Sequence, residues 1–135
     1  MKTLTNRLYH IAAIATLAVS LYSCDEEDQR LYDEQTDYLC SRTWTDEWTD
    51  NDGTYYYQEI SFYPNFTGQE YLYSQDASPM KLESERIYNF KWDWDSYSSL
   101  YMRYSDGVSY MDDIRLGGNK LDCSFDNTWV TFVGK

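Results

Sequence analysis

Tyr88-Asn89-Phe90-Lys91-Trp92-Asp93-Trp94-Asp95 is the stretch that decides the fold. Large aromatic side chains hold every even position and polar or charged ones every odd position. A period of two puts Tyr88, Phe90, Trp92 and Trp94 on one face of a pleated strand, with Asn89, Lys91, Asp93 and Asp95 on the other. One dry face and one wet face are the mark of an antiparallel sheet with a single buried side. The strand is expected from about Glu85 to Asp95.

The same alternation continues on both sides of this strand. Ile60 and Phe62 mark the inner face of a strand from Thr54 to Tyr63. Leu100, Met102 and Tyr104 face one way in the next strand, against Tyr101, Arg103 and Ser105. Between Val108 and Leu116 the inner row is expected to be Val108, Tyr110, Ile114 and Leu116, with Asp112 interrupting it. Further strands are expected at 42–49, 69–74, 120–125 and 128–133, rich in Tyr, Trp, Phe, Thr, Val and Ile. Turn signals separate them: Asp50-Asn51-Asp52-Gly53, Pro64-Asn65-Phe66-Thr67-Gly68, Ser105-Asp106-Gly107, Gly117-Gly118-Asn119 and Asp126-Asn127. The expected fold is all-β, an eight-stranded antiparallel up-and-down barrel, because eight short hairpin-linked strands suffice to close a sheet and remove its edges. Before it, Leu31, Tyr32, Tyr38 and Leu39 are spaced like one face of a short N-terminal helix of one or two turns.

The N-terminal segment predicts the compartment. Lys2 and Arg7 precede an apolar run from Leu8 to Leu21, too short to span a bilayer comfortably, which needs about 20 apolar residues. A positive flank, a short apolar core and small residues near a cleavage point are the layout of a secretory signal. Leu21-Tyr22-Ser23-Cys24 resembles the lipobox of bacterial lipoproteins, with Tyr22 bulkier than the usual occupant. The resemblance implies cleavage before Cys24 and a lipid anchor on it. Asp25-Glu26-Glu27-Asp28 is an acidic, solvated tether. It also resembles the acidic cluster that Bacteroidetes-type lipoproteins carry as a signal for display on the cell surface. The implied place is the outer membrane, facing outward or, alternatively, the periplasm. Three segments follow: a signal peptide at 1–23, an acidic tether at 24–37 and a barrel domain at 38–135.

Composition then restricts the chemistry. The net charge is −12, and removing residues 1–23 takes away two of the 11 basic residues and none of the 23 acids, leaving −14. Such a polyanion repels nucleic acid and anionic membranes, so no nucleic-acid partner is expected. The only histidine, His10, lies in the signal segment. Its loss takes with it the commonest general base, the commonest transition-metal ligand and every Ser-His-Asp or Cys-His scheme. Asp93 and Asp95 stand about 7 Å apart on one strand face. That spacing is within range for a glycosidase pair, but on a wet face nothing raises a carboxyl pKa. The acidic run Asp46 to Asp52 departs from a calcium loop because Trp48 intervenes. No enzyme, metal or cofactor is expected.

Two cysteines remain beside Cys24. An oxidising compartment and an even remainder point to a Cys40–Cys123 disulfide, against the alternative of two unpaired buried thiols.

Leu39 and Trp44, the block Ile60-Ser61-Phe62-Tyr63-Pro64-Asn65-Phe66-Thr67-Gly68, Phe90-Lys91-Trp92, Leu116-Gly117-Gly118-Asn119-Lys120-Leu121 and Phe132 resemble, in order and spacing, the lipocalin-like lipoproteins. Phe66 replaces a glycine usual in that family's turn. The resemblance covers residues 38 to 134 and implies a barrel able to hold a small apolar molecule. The inward residues Tyr88, Phe90, Trp92, Trp94, Met102 and Tyr110, with Asp112, would line such a site, or the same rings fill a solid core. Asp112 either points inward, toward Arg86, Arg103 or Arg115, or is turned outward by a bulge. On the opposite surface, Tyr55, Tyr57, Tyr63, Tyr71, Tyr73, Tyr97 and Tyr101 offer rigid amphipathic area for a protein partner or a glycan.

Overall fold

A computed structural model of the chain describes residues 27–135. The expected signal peptide 1–23, the lipidation site Cys24 and the first two acids of the tether lie outside the described residues. The chain divides into two units, with described residues 27–34 in the first and 35–135 in the second.

A helix, α1, covers residues 27–40, longer than the one or two turns expected. Pairs one turn apart support its first half. Gln29 donates to Asp33 at 3.1 Å, and Arg30 meets Glu34 at 3.3 Å.

The second unit contains eight strands: β1 (Thr43–Thr49), β2 (Tyr55–Phe62), β3 (Thr67–Gln75), β4 (Glu83–Ser96), β5 (Ser99–Tyr104), β6 (Gly107–Gly117), β7 (Lys120–Phe125) and β8 (Thr128–Gly134). Each pairs antiparallel with the next and β8 returns to β1, closing an up-and-down barrel. The turns follow their local chemistry. Asp50 Oδ1 accepts the amides of Asp52 and Thr54, and Gly53 takes φ +82°. Phe66 adopts φ +63° where glycine would be easier, and its ring packs on Trp92 with centroids 4.9 Å apart.

One half of the barrel interior is solid. Trp44, Ile60, Phe62, Phe90, Trp92, Leu100, Met102, Met111, Leu121, Cys123 and Phe132 are buried there. Each such ring or branched chain contributes roughly 1.5–3 kcal/mol by leaving water. Gly68 points inward beneath Phe90, and a Cβ there would fall on the Phe90 ring and 2.7 Å from the Ser61 carbonyl oxygen. The last turn of α1 caps this half. Leu39 is fully buried, its carbonyl accepts the Trp44 indole N–H at 2.9 Å, and the Trp94 indole N–H reaches Thr36 Oγ1 at 2.8 Å. Arg42 stacks over the Tyr38 ring at 4.4 Å and donates to Asn119 Oδ1 at 2.7 Å.

Two expectations are corrected. In β6 Ile114 and Leu116 face inward as expected and Met111 joins them, while Val108 and Tyr110 are 44% and 49% exposed. The register slips between Asp112 and Arg115, and Asp113 takes φ +52°. This bulge inserts one residue and reverses the parity of the strand, so the row read from Ile114 and Leu116 does not extend back to Tyr110. Asp112, opposite Ser124, stands on the outer face. Cys40 and Cys123 are free thiols, not a disulfide. Burial, reinforced by Asp37, pushes the Cys40 thiol up to about 11. Burial with Asp122 and Asp112 pushes Cys123 up to about 12.

Candidate ligand-binding site

The barrel is weakly closed at one seam. β1 and β2 share seven residue pairs, whereas β1 and β8 share only Trp44↔Gly134 and Thr45↔Val133. Beyond Thr45 the two strands have no ladder partner across the seam. A cavity of about 800 Å³ occupies the interior at this end. Its inner wall comes from β1 (Asp46, Trp48), β2 (Tyr56, Gln58) and β3 (Leu72), and from Phe125, Val130 and Phe132 of β7 and β8. Trp129 and Thr131, which alternate outward on β8, also border it, so it reaches the seam.

Phe132 belongs to both the cavity wall and the buried core, and marks where the packed half ends. Beside it lies a polar layer. Gln58, 9% exposed, donates its Nε2 to Glu70 Oε1 at 3.1 Å, and the Tyr104 hydroxyl donates to Glu70 Oε2. Burial first, and then the Glu70 carboxylate, raises the Tyr104 phenol above its ordinary value. A carboxylate only accepts, so the Gln58 amide must present its NH₂ to Glu70 and its Oε1 elsewhere. Asp46 is the direct cross-strand neighbour of Gln58, and burial raises its carboxyl pKa. Trp48 pairs with Tyr56 one step nearer the mouth, their rings stacked with centroids 5.2 Å apart.

A second hollow of about 300 Å³ shares Tyr56 and Leu72 with the first and adds Ser74, Ser84 and Arg86. Arg86 donates to the Tyr88 hydroxyl at 3.4 Å. Among the described residues no group of three or more His, Cys, Asp or Glu is placed to hold a metal.

None of the residues read from the sequence as ligand-lining borders the large cavity. Phe90, Trp92 and Met102 are packed in the solid half. Tyr88 and Trp94 point inward and are half-buried, Tyr88 against the Tyr104 ring and Trp94 against Trp92. Tyr110 and Asp112 are outside. The lining was nonetheless within reach of the alternation rule. Asp46 and Trp48 share the parity of Trp44, and Tyr56 and Gln58 that of Ile60 and Phe62.

The outer face of β1 to β4 carries a grid of tyrosine and glutamate. The hydroxyls of Tyr55, Tyr57, Tyr71 and Tyr73 donate to Glu47, Glu59, Glu85 and Glu83 at 2.6–3.0 Å. Tyr55 meets Tyr73, and Tyr57 meets Tyr71, edge to face. The glutamate bond is the first cause of the raised phenol in all four, to about 12 at Tyr57.

Comparison with protein-family models, with curated proteins and with solved structures finds no match to this chain. The eight-stranded antiparallel barrel is compatible with a lipocalin-like fold.

Proposed function

We propose that this chain is a lipid-anchored bacterial lipoprotein of Bacteroidetes type, displayed on the outer surface, whose barrel is a non-enzymatic binding module for a small apolar or amphipathic molecule. The cavity of about 800 Å³ carries the binding part of this reading. Its volume lies within the range of small-molecule sites, and its walls are largely aromatic and aliphatic with a few polar groups. The anchor rests on the sequence: the Lys2/Arg7 flank, the short apolar run, the Leu21–Cys24 lipobox-like stretch and the acids that follow.

Native mass spectrometry of the protein purified from its own host tests the binding module. The expected result is a co-purifying small molecule that is lost in Val130→Trp, which fills the cavity. Retention of the molecule by that variant, or an empty wild-type protein, overturns the reading. For the anchor, Cys24→Ser is expected to leave the membrane fraction, and external protease is expected to digest the wild-type protein on intact cells.

A second reading is favoured by the tyrosine–glutamate grid, an amphipathic outer surface suited to a protein partner or a glycan. A glycan array probed with wild type and with Tyr57→Ala/Tyr71→Ala separates it from the cavity reading.

A further inference from the structure

We infer that the ligand of the open half is an organic cation, an ammonium group on an apolar or aromatic body. The inference rests on the cavity reading above and specifies which ligands that cavity selects.

Two acceptor oxygens on the inner wall, Gln58 Oε1 and Asp46 Oδ2, take no donor from the described residues. Gln58 donates one N–H of its amide to Glu70, and its Oε1 accepts no bond among the described residues. Asp46, beside it in register, accepts one backbone amide, from Glu47 at 2.8 Å, through Oδ1, and its Oδ2 has no hydrogen-bond partner among the described residues. The carboxylate of half-buried Asp46 and the amide of Gln58, a residue 9% exposed, therefore face each other in cross-strand register. A donor-rich ligand that enters the cavity can bond to both oxygens at once. Among the described residues, no Lys or Arg borders this cavity. Asp126 at its rim adds a further acid. An ammonium supplies several donors and a charge opposite to Asp46 at once, whereas a carboxylate would face repulsion from Asp46 and Asp126. One step toward the mouth, the stacked Trp48 and Tyr56 offer π-faces, which favour a cation over a neutral group. The apolar remainder of the ligand fits against Leu72, Phe125 and Val130.

Arg86, in the adjoining hollow, is the competing feature, since it would favour an anion. Gln58 and Leu72 stand between it and Asp46 in the cross-strand register, and its guanidinium already donates to Tyr88.

The test uses three probes with one body: 2-(1-naphthyl)ethylamine, 2-(1-naphthyl)ethanol and 1-naphthylacetate, titrated calorimetrically into the full chain at neutral pH. The amine is expected to bind about tenfold more tightly than the alcohol, and the acetate most weakly. Asp46→Asn is expected to bring the amine within about twofold of the alcohol, with an unchanged circular dichroism spectrum and melting curve showing the variant folded. Val130→Trp is expected to abolish binding of all three. If alcohol or acetate matches the amine in wild type, or if Asp46→Asn keeps the amine preference, the cation inference falls and the cavity reading stands. If the amine still binds Val130→Trp, it is held by acids elsewhere and the inference falls. If no probe binds at about 1 mM, both fall.

Discussion

The Tyr104 hydroxyl, at the end of β5, donates to the carboxylate of Glu70 in β3, and Gln58 of β2 donates to the other oxygen of the same carboxylate. One interior carboxylate thus joins three strands where the packed half of the barrel meets the open half. Removing one donor leaves a half-satisfied charge. Tyr104→Phe is expected to cost about 2 kcal/mol in urea unfolding at pH 7.

The same phenol sets an alkaline limit. Folding raises its pKa above the ordinary value of 10.0, so the native state holds the proton that the unfolded chain releases. Its contribution to stability is complete below about pH 10 and is lost as pH rises beyond it. Tyr57, pushed up to about 12, acts in the same direction. Melting temperature is expected to fall steeply between pH 10 and pH 12 and less steeply in Tyr104→Phe. An unchanged slope in that variant would contradict the assignment.

Gly68 makes room for the Phe90 ring. Gly68→Ala forces the added methyl into that ring and is expected to destabilise the domain by about 2 kcal/mol, read from the denaturation midpoint. Wild-type stability in this variant would mean that the ring is free to move aside.

Leu39 plugs the packed end of the barrel. Leu39→Ala is expected to cost about 3 kcal/mol and to speed amide exchange in residues 35–40 more than in β2 and β3.

The seam makes its own prediction. Amides of Asp46–Thr49 and Thr128–Phe132 that face the gap are expected to exchange about tenfold faster than ladder amides between β2 and β3, because only two residue pairs hold β1 to β8. Uniform protection around the barrel would show the seam closed in solution.

Both thiols are protonated at neutral pH by these pKa values, so alkylation of the native protein is expected to be slow and that of the unfolded protein fast at Cys40 and Cys123. An intact mass that rises on reduction would restore the disulfide.

Alternation in residues 88–95 was enough to predict the strand, the face each ring takes and, with the turn signals, eight strands in near-correct positions. These are local properties: a pleated backbone sends successive side chains to opposite faces wherever the strand lies. Parity fails only where the count is broken. The Asp112–Asp113 bulge is such a break, and it moved Tyr110 and Asp112 to the outside. Which inward residues fill the barrel and which border a void was decided by the tertiary structure. Phe90, Trp92 and Met102 join one buried cluster with Leu39, Trp44 and Phe132, brought from distant parts of the chain. Asp46, Trp48, Tyr56 and Gln58 share the same parity, but β1 and β8 separate beside them. A cavity is the difference between the volume a closed sheet encloses and the volume its side chains supply at each level. That difference depends on which strands face each other across the barrel, which no single stretch of sequence contains.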